Sequence, residues 1–101
     1  MLLDVALEED EVQKIIQCIE SESQVNDYHY LKTRRSGKTK FVEVHLVFTP
    51  VIKLLDAHNA ADKIIENIKK LDNDSQWIVN IHLDPYDDSA EHKNSCKVYF
   101  G

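Results

Sequence analysis

A chain of 101 residues, 43% hydrophobic and 30% charged, is a single small domain with one two-layer core rather than a disordered polymer. A net charge of −6 with histidine neutral argues against a general nucleic-acid binder and permits a divalent-cation binder. No apolar run has the length of a membrane-spanning helix, and Met1-Leu2-Leu3 leads into acidic residues rather than a secretory signal.

In chain order, residues 1–7 read as a lead-in, residues 8–88 as the domain and residues 89–101 as a polar tail. Residues 8–21 predict an amphipathic helix. Val12, Ile15, Ile16 and Ile19 recur at three- and four-residue spacing, and the run Glu8-Glu9-Asp10-Glu11 suits a helix N-terminus. Residues 27–34 predict a strand, Arg35-Ser36-Gly37-Lys38 a turn, and residues 39–48 the clearest strand, so that the two form a hairpin. Pro50 ends the second strand. Residues 53–71 predict a strong helix with Leu54, Ala57, Ala61, Ile64, Ile65, Ile68 and Leu71 in one stripe. Residues 76–83 predict a third strand, stopped by Pro85. The order α-β-β-α-β, with three mostly antiparallel strands and both helices on one face, is an α+β open-faced sandwich whose other sheet face is open.

That face is where the chemistry falls. In the second strand Val42, Val44, Leu46 and Phe48 alternate with Phe41, Glu43, His45 and Val47. In the third, Trp77, Val79, Ile81 and Leu83 leave His82 and Asp84 in the other phase. Residues two apart on a strand share a face, so His82 and Asp84 point the same way, and His45 joins them if its strand is adjacent. Imidazole and carboxylate are zinc donors. A row of solvated side chains near a turn is the plainer reading of the same pattern.

The other candidates have plainer readings too. In simple alternation His29 shares a phase with Leu31, which predicts packing at the core edge. His58 lies beside the apolar stripe of the second helix, where a partly buried, hydrogen-bonded imidazole is ordinary. Cys18 reads as a small core or flank residue. His92 and Cys96 have ligand spacing only if the tail is helical. Cys18 and Cys96 form no CxxC pair, which fits a reducing compartment better than a disulfide framework. Lys32, Arg34, Arg35, Lys38 and Lys40 make a basic hairpin, either a solvated turn or a contact for anionic lipid. No nucleophile elbow, phosphate loop or catalytic triad is present, so the chain does not read as an enzyme.

The stretch HYLKTRRSGKTKFVEVHLVF, then AHNAAD and IHLDPYDD, resembles the C-terminal cytoplasmic domain of cation diffusion facilitator transporters, which export zinc and other divalent cations. The resemblance spans residues 2–88. It implies a ferredoxin-like, metallochaperone-like fold, a V-shaped homodimer at the cytoplasmic face of the cell membrane, and an attached transmembrane domain that these residues do not include; residues 2–6 resemble the junction after the last membrane helix. It also implies metal ligands at His29, His45, His58, His82 and Asp84, holding Zn2+ or a similar ion, with the aspartate bridging two ions in the family pattern. A metal-independent dimerisation scaffold and a free soluble metal-binding protein are the alternatives, the second weakened by the missing CxxC pair.

Overall fold

The computed structural model describes residues 4–84 and 98–99. Within them lie α1 (Glu9–Glu20), β1 (Val25–Ser36), β2 (Thr39–Phe48), α2 (Leu54–Lys69), β3 (Gln76–Asp84) and a short β4 (Val98–Tyr99). The five expected elements occur in the expected order, each boundary within two residues of its predicted place. Pro85, His92 and Cys96 lie outside the described residues, as does most of the predicted tail.

Local chemistry explains the elements. α1 buries Val12, Ile15, Ile16 and Ile19 and carries Glu9, Asp10 and Glu11 in its first turn, where negative charge meets unpaired backbone N–H groups. It stops at Ser21, whose hydroxyl donates to the Cys18 carbonyl at 2.9 Å. α2 buries Ala57, Ala60, Ala61, Ile64 and Ile68. β1 and β2 meet through the two residues between Ser36 and Thr39, with Gly37 at φ 60°, the left-handed backbone that such tight hairpin loops demand. The lead-in is not detached from the domain: Val5 and Arg35 exchange two backbone hydrogen bonds, of 3.0 and 2.6 Å, and Leu7 is buried.

The sheet order is β3-β2-β1-β4. β1 and β2 are antiparallel, but β2 and β3 run parallel, and so do β1 and β4. The expectation of a mostly antiparallel three-stranded sheet is corrected here. A connection that carries a whole helix returns the chain to the end where the previous strand began, which makes the next strand parallel. The fourth strand comes from Val98 and Tyr99, beyond the predicted domain boundary.

Both helices cover one face. Ile15, Ile19, Leu31, Val42, Val44, Leu46, Ile64 and Ile68 have at most 1% of their surface exposed. Trp77 completes this core, and its indole N–H donates to the Asp72 carbonyl at 2.9 Å. Among the described residues, no helix is long and apolar enough to cross a membrane.

Lys40 does not belong to the basic hairpin surface. It occupies the core phase of β2 and is 7% exposed. Its ammonium bonds Glu11 of α1 and, at 2.7 Å, Asp72 of the α2–β3 loop, and lies 5.2 Å from the centroid of the Trp77 ring. Burial alone would lower its pKa, but the bonds to Asp72 and Glu11 more than offset this and hold it above the ordinary lysine value. Bonds from Lys40, from the Ser75 hydroxyl and from the Asp74 N–H hold the Asp72 carboxyl far below the usual range. A depressed carboxylate contributes stability above its unfolded pKa, about 3.9, and loses it as pH falls through the folded value; a raised lysine contributes below about 10.4 and loses it as pH rises. Lys40→Met is therefore expected to melt at lower temperature than the wild type at pH 7. The gap should close on strong acidification, or as the pH rises through the raised value of the Lys40 ammonium. Thermal melts followed by Trp77 fluorescence check this, and equal melting temperatures at pH 7 would refute it.

Candidate metal centre

The non-core phase of β2 and β3 carries His45, His82 and Asp84, as the alternation predicts. Strand register makes them neighbours: His45 pairs with His82 and Val47 with Asp84. Register also brings in His29, which pairs with His45 on the other side. Directly opposed residues project from the same face. Three histidines from three strands thus form one row across the sheet.

His29 reaches that row through a β-bulge that simple alternation does not anticipate. The β1–β2 register slips by one residue between His29 and Lys32, and Tyr30 sits at φ 56°, left-handed backbone that costs a bulky residue roughly 1–3 kcal/mol. The extra residue resets the phase. Leu31 turns fully into the core, while His29 stays with His45, so the expectation that the two share a face is corrected. A signal for this was present in the sequence: Tyr28 and Leu31 are both core residues, and a separation of three cannot be met on one face of a regular strand. The face is less open here than expected, since His29 and Val47 are both buried.

Within the row, His45 is half-buried and its Nδ1 lies 3.0 Å from Asp84 Oδ2. With Asp84 ionised, that bond uses the Nδ1 proton and leaves the Nε2 lone pair free for an ion. The His45 and His82 rings stack, with centroids 4.6 Å apart and planes inclined by 17°. Tyr30 meets His45 edge-on at 5.5 Å. Two carboxylates that sequence reasoning did not single out also lie here: Glu43 Oε2 is 3.6 Å from His82 Nε2, and Asp27 Oδ2 is 3.8 Å from His29 Nε2.

His58 is not in the row. It is exposed on α2 and faces a shallow groove that wraps the edge of β3, with Ile65, Asn80, His82 and Glu43 among the other lining residues. Cys18 is a half-buried flank of the core, and burial pushes its thiol pKa up. Arg34, Arg35 and Lys38 remain exposed, but Arg34 stacks over Phe41 at 4.5 Å and lies 4.0 Å from Asp4. The acidic start of α1 is at the same end of the sheet, since Glu11 binds Lys40, so charge of both signs is mixed there.

As the side chains stand, no three His, Cys, Asp or Glu groups among the described residues converge on one point that could hold an ion. The stacked imidazoles present faces to each other rather than lone pairs. The donors nevertheless suit a zinc-type ion. Zn–N distances near 2.0–2.1 Å put two donors about 4 Å apart at most, and neighbouring strands lie about 4.8 Å apart, a gap that imidazoles close by rotating about their side-chain bonds.

The sequence profile of the family described as the cytoplasmic domain of cation efflux proteins matches residues 7–86. The cation-efflux pump FieF of Escherichia fergusonii is 40% identical over 84 residues, which are 83% of this chain and 27% of that protein. The chain thus spans about a quarter of the length of the curated relatives it matches. Among solved structures, the metal-bound C-terminal domain of the CzcD transporter from Thermotoga maritima superposes with TM-score 0.69 at 25% identity, covering 78% of this chain and 94% of that domain. The C-terminal domain of the magnetosome protein MamB from Desulfamplus magnetovallimortis shares the fold, with TM-score 0.71 at 18% identity over 80% of this chain and 99% of that one. With the three-histidine row, the mixed sheet and a family match over most of its length, this chain belongs to the cytoplasmic domains of the cation diffusion facilitator, or cation efflux, family.

Proposed function

We propose that this domain binds Zn2+ or a similar divalent cation on its open sheet face, and that loading sets the geometry of a homodimer and so the efflux activity of an attached membrane domain at the cytoplasmic face of the membrane. The observation that carries the reading is the register that aligns His29, His45 and His82 beside Asp84. The metal-bound state of the CzcD domain supports it by analogy. His29, His45 and His82 supply neutral nitrogen donors, and Asp84 supplies a carboxylate with lone pairs for both His45 and an ion. His58 joins from the helix layer, around the edge of β3. A bound zinc would hold these side chains in one arrangement. It shifts dimer geometry only by its differential affinity for the two protomer arrangements. Ligation needs neutral imidazoles, so loading falls as the solution is acidified.

A zinc titration of metal-stripped protein, with stoichiometry and particle mass measured together, tests this. At a hundredfold excess over Kd, binding adds about 2.7 kcal/mol, enough to raise the melting temperature of so small a domain by about 10 °C or more. A protein that is fully dimeric after chelation, with melting temperature and mass indifferent to micromolar zinc, would instead be a metal-independent dimerisation scaffold. One ion per protomer would exclude a bridging role for Asp84 within the protomer, and two would be consistent with the bridge that the family pattern implies.

A further inference from the structure

We propose that the backbone reversal at Tyr30, clamped from the outer edge by β4, is the positioning element that holds His29 in the histidine row. The C-terminal strand is then a working part of the metal centre. The inference rests on the metal-binding reading above and deepens it.

Four observations converge. First, Tyr28 and Leu31 both belong to the core while His29 is in register with His45, an arrangement possible only with one extra residue in β1. A slip that removed the bulge would turn either His29 or Leu31 to the wrong face. Second, the residue that takes the left-handed backbone is a tyrosine, 45% exposed, where glycine would be the natural choice. Its own preference does not maintain the bulge, so the surrounding pairing must. Third, the one-residue slip of the β1–β2 register falls between His29 and Lys32, and β4 pairs from the outer side at that place, Val98 with Leu31 and Tyr99 with Lys32, beginning on the residue that follows Tyr30. Fourth, β4 lies beyond residues 7–86, the part that matches the family profile. The clamp lies outside the profile-matched residues and is attached at the point of β1 that decides where His29 faces.

The test uses three variants of the full chain: one ending at Lys97, which loses β4 but keeps His92 and Cys96; Tyr30→Ile, whose β-branched side chain resists positive φ; and Tyr30→Gly, which accepts it freely. Two quantities are read. In metal-free protein, nuclear Overhauser contacts between the His29 and His45 side chains report whether the row is assembled. Zinc Kd by competition titration reports whether the row works. The chain ending at Lys97 and Tyr30→Ile are expected to lose the cross-strand contacts and to bind zinc at least about tenfold more weakly, the effect of losing a positioning partner, with circular dichroism unchanged. Tyr30→Gly is expected to keep both. If Tyr30→Ile fails to fold, the other two variants decide. Unchanged contacts and unchanged Kd in the chain ending at Lys97 would overturn the proposal. A wild-type protein that shows the cross-strand contacts yet binds no zinc would overturn the metal reading, and the contacts alone would then decide the positioning claim.

Discussion

Asp84→Ala is expected to weaken zinc binding by roughly a hundredfold or more. Asp84 is positioned to act twice, as a carboxylate donor at the end of β3 and as the partner that holds His45 Nδ1 at 3.0 Å. Loss of an outer-shell partner alone costs about 10- to 100-fold in metal affinity, and this substitution removes a ligand as well. His92→Ala, in the tail beyond the family-matched region, is the comparison and should change affinity far less. Folding does not confound the measurement. Asp84 is partly exposed, so metal-free Asp84→Ala should melt close to the wild type. Competition titrations of both variants and the wild type decide the matter. Equal losses in Asp84→Ala and His92→Ala would remove Asp84 from the site.

The largest effect on stability is expected at Leu46. Its side chain is fully buried on the central strand β2, in the core phase directly behind the row that holds His45. Truncation to alanine removes apolar contacts and leaves a cavity that a sheet paired on both sides cannot close. The expected cost is about 2–5 kcal/mol, a large share of the roughly 5–15 kcal/mol that holds a domain together. At about 4–8 °C per kcal/mol, the melting temperature should fall by about 8–40 °C. Val51→Ala is the control: it is 89% exposed and should stay within about 0.5 kcal/mol of the wild type. A Leu46→Ala protein melting within a few degrees of the wild type would show that this part of the core relaxes far more than its burial implies.

Much of the fold could be read in advance because its signals are local. The stripe Val12, Ile15, Ile16 and Ile19 marks α1 without reference to the rest of the chain, and the alternation around His45 marks both the strand and the phase of the imidazole. Lys40 shows where local reading stops. In sequence it is one of five basic residues around a turn; in the fold it is buried between Glu11 and Asp72, residues that lie 29 and 32 positions away. No period-two pattern identifies the carboxylates that make such a burial tolerable. His58 shows the same limit from the other side: the family motif implies it as a ligand, and only the fold places it on α2, outside the row but lining the same groove as His82.

The sequence by itself determined the elements, their order, the core phase of α1, β2 and β3, most of that of α2 (Leu54, expected in its stripe, is 70% exposed), and the family to which the motifs point. These follow from patterns written over a few turns or a few strand residues. Only the tertiary structure decided that β3 runs parallel to β2, that a fourth strand joins β1, and that His29 faces the row rather than the core. Strand direction depends on the path of a whole connection. The face of His29 depends on one inserted residue, whose left-handed backbone at Tyr30 is held by pairing with segments far away in the chain.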